Sequence, residues 1–150
     1  MPNLKQVKND YTERGATERL IRYVYRKALA IGGYAVDPQN AAYQMEVCRL
    51  LWNNVQGTQV VHYVLSLTDE ESAKVSLQNM RELGYAVCRY FAEEYQIVFG
   101  VHHNARWHVH FVMNAVRYMD GKRYPGRRAD DEQLAAYIGE MIGVWVDVVY

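Results

Sequence analysis

The sequence has no run of apolar residues approaching the roughly 18–20 that a membrane span needs. Its opening, MPNLKQVKND, is too polar and charged for a signal peptide. The expectation is a soluble, cytoplasmic protein that makes no membrane contact. Cysteine is scarce: Cys48 and Cys88 stand far apart and form neither a CxxC pair nor a disulfide framework, which agrees with a reducing compartment. Only three residues are Pro and 23% are charged, while half are hydrophobic. That balance excludes a disordered tail, a collagen-like repeat and a low-complexity linker. An excess of charge of either sign is missing too. Lys+Arg and Asp+Glu both number 17, so any nucleic-acid contact has to come from a local patch rather than from bulk attraction. The 150 residues are the size of one domain, 1–150, long enough to bury a core without staples.

What the chain does have is tyrosine, 13 of them, and a clear succession of hydrophobic periods. Residues 1–11 read as a loose start. From Thr17 the spacing of Leu20, Ile21, Val24 and Ala28 is helical, and Gly32-Gly33 reads as its stop. A second helix is expected over about 39–55, with Met45, Cys48, Leu51, Trp52 and Val55 as its stripe. Residues 58–67 read as a strand with Val61, Tyr63, Leu65 and Leu67 on one face and His62 and Ser66 on the other. Thr68 opens a long helix through Phe91, interrupted only by Gly84. Segments 95–102 and 107–118 form a hairpin about the loop His103–Arg106, followed by a helix over 130–142 and a strand-like tail. The expected fold is α+β: an antiparallel sheet with helices packed on one face, a two-layer sandwich.

The stretch HVHFVMN, residues 108–114, carries the most information. Strand alternation sends Val109, Phe111 and Met113 to one face, and His108, His110, Val112 and Asn114 to the other. In the preceding strand Ile97, Phe99 and Val101 share a face, which puts His102 with the other two imidazoles and leaves His103 out of phase. Gly100 beside His102 leaves room for a ligand or a backbone to come close. Three imidazoles meeting across a hairpin are a metal-binding set with open coordination positions, and His62 is placed as a partner behind them. The plainer reading is a wet polar sheet face without an ion. A cupin-like dioxygenase fits less well, because it wants a Glu after the HxH and a later His.

The stretch fits the HxHxxxN signature, and the sequence here resembles the plasmid mobilisation relaxases (MobA/MobL-like) of the HUH endonuclease superfamily. Tyr95–His102 is similar to the family strand that delivers the third histidine, Val61–Leu67 to its central strand, and Asn114–Lys122 to its NSVxxxxGKK segment. The resemblance covers roughly residues 17–125. It implies that His102, His108 and His110 bind a divalent metal ion, Mn or Mg by family habit, with Zn or Ni also suited to imidazoles. It implies that Asn114 supports the site or the DNA backbone, and that a tyrosine on the first helix is the nucleophile, with Tyr23 the best match and Tyr25 its competitor. Tyr23 and Lys27 form a Tyr-x-x-x-Lys pair expected on one helix face, where the ammonium would steady a phenolate or a phosphate. The implied activity is site- and strand-specific nicking of single-stranded or hairpin DNA at an origin of transfer, through a 5′-phosphotyrosine, in plasmid or mobile-element mobilisation with accessory mobilisation proteins.

The densest basic run, Lys122, Arg123, Arg127 and Arg128 with Tyr124 among them, is the expected DNA contact, and Arg22 and Arg26, with Arg19 and Lys27, form a second patch near Tyr23. Two other functions remain open from sequence: a relaxase-like module that binds DNA without cutting it, and a nickase of the rolling-circle replication initiator type. The latter usually carries its Tyr–Lys pair after the histidine motif rather than before it.

Overall fold

The elements follow the chain as β1 (Asn3–Gln6), α1 (Ala16–Tyr25), β2 (Ala30–Tyr34), α2 (Ala41–Leu51), β3 (Val60–Ser66), α3 (Asp69–Ser72), α4 (Leu77–Phe91), β4 (Ile97–Asn104), β5 (Arg106–Asn114), α5 (Arg128–Ile142) and β6 (Asp147–Val149). The computed structural model describes residues 1–150. All six strands join one sheet in the order β2-β4-β5-β3-β1-β6, antiparallel except for the parallel pair β1 and β6. The expected α+β class and antiparallel sheet are both present.

The alternation read in β3, β4 and β5 sorts side chains as expected on one face. Tyr63, Leu65, Phe99, Val101, Val109, Phe111 and Met113 pack beneath Met80, Val87 and Phe91 of α4 and Leu134 and Ile138 of α5. Gly84 is where α4 comes closest to the sheet: a Cβ there would sit 2.6 Å from the Phe99 ring.

The opposite face differs from expectation. Helices pack on it as well, so the sandwich is not two-layered. Leu20, Ile21 and Val24 of α1 and Met45 of α2 cover Val60, Val98 and Val112. The valines are the reason. Val98 and Val112 fall in the same alternation phase as the histidines, yet each is fully buried, and burying such a side chain contributes about 1.5–3 kcal/mol. One half of this face is therefore apolar and capped by helices, and the other half holds the imidazoles.

Several boundaries also move. Residues 3–6 are not loose: Leu4 is buried and the segment pairs with both β3 and β6. Gly32 and Gly33 lie inside β2, where a Cβ would meet the Tyr85 hydroxyl at 2.6 Å or the Ile97 carbonyl at 2.5 Å. The long helix after Thr68 is two helices, because Ser76 and Asn79 form a second capping box behind that of Thr68 and Glu71. The hairpin loop shrinks to Ala105, at φ 66, since pairing runs out to Asn104 and Arg106.

Gly100 on β4 lets a backbone approach, as expected, and that backbone is the last turn of α1: a Cβ at residue 100 would lie 2.6 Å from the Val24 carbonyl oxygen. Gly100→Ala should therefore lift α1 from the sheet and cost about 1–3 kcal/mol, the usual range for overpacking. Chemical denaturation checks this, and an unchanged midpoint would show that α1 is not held there.

Candidate functional site

Strand register assembles the imidazoles. His102 is paired directly with His108 across β4 and β5, while Val64 faces His110 and His62 faces Val112 across β3 and β5, making His62 a diagonal neighbour of His110. The rings of His102, His108 and His110 stand 5.2–5.3 Å apart, centroid to centroid. His62 stacks on His110 at 5.2 Å, with its Nε2 2.9 Å from His110 Nδ1. His62 Nδ1 lies 3.0 Å from the Tyr11 hydroxyl. His103 is out of the cluster and packs on Trp107.

Burial lowers the basicity of three of these rings, His62, His108 and His110. It pushes His62 down to about 4, and His110 to about 3 with the neighbouring imidazoles adding to the effect; His108 is lowered by the same causes. The neutral imidazole is the form that binds a metal. His102 donates from Nε2 to the Val24 carbonyl at 2.7 Å, and His108 Nδ1 lies 3.4 Å from the Arg106 carbonyl. Each of the three rings thus keeps one nitrogen without a protein partner: Nδ1 of His102 and Nε2 of His108 and His110. Ring spacings near 5 Å suit three imidazoles around one ion with metal–nitrogen bonds of about 2 Å. The free nitrogens do not close on one point as they stand, so seating an ion needs ring rotations, and the donor set otherwise fits one.

The two tyrosines left open by the sequence separate in space. Tyr23 is 61% exposed and sets its ring edge-on to His110 at 5.8 Å. Tyr25, two residues along the helix and so about 200° around it, points away and donates to the Pro38 carbonyl at 2.7 Å; burial raises its phenol well above the usual range. Lys27 does not stand a turn above Tyr23. The helix ends at Tyr25, Arg26 turns extended at ψ 122, and Lys27 takes φ 59, so the expected pair on one helix face is not formed.

Several other expected residues have partners elsewhere. Asn114 is fully buried, four residues along β5 from His110, and joins the Arg49 guanidinium, the Met45 carbonyl and Gln96. It does not touch the imidazoles or the surface. Arg123 donates to Asn54 and to the carbonyls of Thr58 and Gln56, so its guanidinium ties loops together instead of facing solvent. Arg127 pairs with Asp130 at the start of α5, and Arg128 lies 3.9 Å over the Tyr150 ring. Lys122 is held through its backbone N–H by Asp120. Arg22 pairs with Glu18 at 2.7 Å and, with Arg26, lines a groove between α1 and α2, separate from the one at Tyr23.

The groove at Tyr23 is about 890 Å³ and runs over His110, His62, Val64 and Ser66 to Lys5 and Asn3, with Tyr11 and Arg19 along its wall. Lys5 and Tyr11 are the residues that sequence reasoning missed. Tyr11 meets a histidine 51 positions away, and no local pattern encodes that pairing.

A family model described as "Relaxase: MobA/VirD2-like, nuclease domain" matches residues 21–142, which include Tyr23, His102, His108 and His110. No curated protein and no solved structure matches the chain.

The lowered basicity of His62 and His110 gives a pH signature. In the unfolded chain both bind protons below their ordinary value of 6.5, whereas in the fold they stay neutral down to about 4 and about 3. The unfolded state is thus favoured increasingly as pH falls from 6.5 toward 4, by up to about 1.4 kcal/mol per pH unit for each ring; above pH 7 the two groups contribute no slope. Urea denaturation of ion-free protein across this range should show the decline, and a His62→Gln, His110→Gln double variant should lose most of it, His108 supplying the remainder. A wild-type profile with no decline below pH 6.5 would contradict burial of neutral rings.

Proposed function

The chain belongs to the MobA/VirD2-like relaxase nuclease-domain family, and from that premise we propose that it nicks one DNA strand by transesterification, with Tyr23 as nucleophile and a divalent ion held by His102, His108 and His110. Membership itself makes it a DNA-nicking endonuclease of the relaxase type. The observation that carries the finer reading is the exposed Tyr23 ring set against His110, at the mouth of the imidazole cluster.

The Tyr23 oxygen attacks the scissile phosphorus, the bond to the 3′ oxygen breaks, and the 5′ phosphate stays on the tyrosine while the 3′ oxygen leaves as a hydroxyl. Attack by a 3′-hydroxyl reverses the sequence and rejoins the strand. The Tyr23 ring is 61% exposed, so its phenol proton passes to the surrounding water, and burial leaves His110 a weakened base beside it. A bound divalent ion would polarise the scissile phosphate and offset the charge that develops on its oxygens. The family's divalent-metal habit points to Mn or Mg, and the all-imidazole donor set also suits Zn or Ni.

Single-stranded DNA at an origin of transfer fits the groove beside Tyr23. Lys5 and Arg19 stand along it for phosphates, and Tyr11 and Tyr23 offer faces for bases. Since the chain carries no net charge, binding rests on these few cations and should weaken with salt by a shallow slope. In mobilisation the nicked strand would be handed to accessory proteins. No helix is long and apolar enough to cross a membrane, and the cytoplasm is the compartment where such DNA is met.

The test is a covalent adduct on a denaturing gel, using Mn²⁺ or Mg²⁺ and a pool of labelled single-stranded oligonucleotides carrying origins of transfer. Wild type and Tyr25→Phe should both give the adduct, while Tyr23→Phe and added EDTA should abolish it. An adduct that survives in Tyr23→Phe would move the nucleophile elsewhere. Hairpin binding without any adduct would leave a DNA-binding module.

A further inference from the structure

The relay behind His110 ends at the Tyr11 hydroxyl, a group that the relaxase reading leaves without a role. His62 is 4% exposed and uses both ring nitrogens: Nε2 toward His110 Nδ1 at 2.9 Å, and Nδ1 toward the Tyr11 hydroxyl at 3.0 Å. A neutral imidazole has one donor and one acceptor nitrogen. The chain of three groups therefore has only two polarities. In one, His62 donates from Nε2 to His110, whose proton then sits on Nε2 and blocks ligation. In the other, His110 donates from Nδ1 to His62, His62 donates from Nδ1 to Tyr11, and His110 Nε2 keeps its lone pair free.

We propose that Tyr11 is a positioning residue for the ion site: its hydroxyl accepts the last hydrogen bond of the relay and so holds His110 with Nε2 free. The inference rests on the ion site proposed above. A phenol oxygen can accept from His62 or donate to it, so it tolerates both polarities and lets the relay reverse when an ion arrives. A phenylalanine could do neither. A buried N–H left without an acceptor is harder to tolerate than a bare lone pair, so loss of the hydroxyl favours the polarity that blocks His110.

The loop carrying Tyr11 is built to keep it there. Tyr11 takes φ 40, an uncommon conformation for a side-chain-bearing residue. The Gln59 N–H donates to the Tyr11 carbonyl at 3.0 Å, and the Gln59 side chain donates to the Glu13 carbonyl at 2.8 Å. The residue just before β3 thus pins the loop against the strand that bears His62.

The experiment uses the full chain with Zn²⁺ as the probe ion, read by competition for affinity and by long-range ¹⁵N NMR of the histidine rings for proton position. In the Zn²⁺-loaded wild type, His62 should carry its proton on Nδ1. Tyr11→Phe, which keeps the ring, should bind Zn²⁺ about 10–100-fold more weakly, the usual cost of losing a partner behind a ligand. A His62 proton on Nε2 in the loaded wild type overturns the proposal, and that readout needs no variant to fold. Affinity of folded Tyr11→Phe within threefold of wild type overturns it too, while leaving the ion site standing. A wild type that takes up no Zn²⁺ at all removes the ion site itself, and the role of Tyr11 with it.

Discussion

The contact on which the site depends is the one between the last turn of α1 and β4. The final carbonyls of a helix have no intrahelical partner, and the Val24 carbonyl is one of them. Because residue 100 has no side chain, that carbonyl reaches the sheet and accepts from His102 Nε2 at 2.7 Å. The partial negative charge at the helix end favours such a donor. One close approach thus fixes the proton of His102 on Nε2, seats the end of α1 over the strand, and leaves Tyr23 against His110. A ring that must rotate to meet an ion would loosen the same carbonyl, so the tyrosine helix and the imidazole cluster share a hydrogen bond.

The second face of the sheet serves two purposes at once. Val60, Val98 and Val112 make it a floor for α1 and α2, while His62, His102, His108 and His110 make it a polar cluster a few ångströms on. Placing His62, His108 and His110 beside an apolar floor lowers their basicity, because desolvation penalises the charged ring. The same burial makes His110 a weaker base beside the Tyr23 ring.

Strand parity made most of the imidazole arrangement legible before any coordinates. The grouping of His102 with His108 and His110, the exclusion of His103 and the placing of His62 on a polar strand face follow from a period of two, and register then sets His62 against His110. What parity could not supply was which members of the same row are floor and which are site: Val98 and Val112 share a phase with the histidines, and only the docking of helices separates them. The choice between Tyr23 and Tyr25 was closed to sequence for a similar reason, since both lie on one helix and its rotation about the axis is set by packing. Lys27 was misplaced because nothing local to it announces that the helix stops at Tyr25. Arg123 reads as a free cation in a basic run, and its carbonyl partners lie more than sixty residues away.

Asn114 shows how a motif position can act at a distance from the motif. It lies in the apolar core, and its amide oxygen accepts from Arg49 at 3.2 Å. Arg49 is 5% exposed and has neutral acceptors only: Asn114, the Gln59 carbonyl and the Thr17 hydroxyl. A buried guanidinium that hydrogen-bonds no carboxylate carries a desolvation cost that these hydrogen bonds must offset. Thr17 is the second residue of α1 and also donates to Gln59. The polar network therefore clamps the start of α1, while Val24 and His102 clamp its end. Held at both ends, the helix has little freedom to rotate or slide, and the side of it that bears Tyr23 is fixed over His110. Asn114 thus supports the tyrosine through the helix that carries it rather than through the imidazoles, which accounts for a polar residue lying fully buried at the far end of the histidine strand.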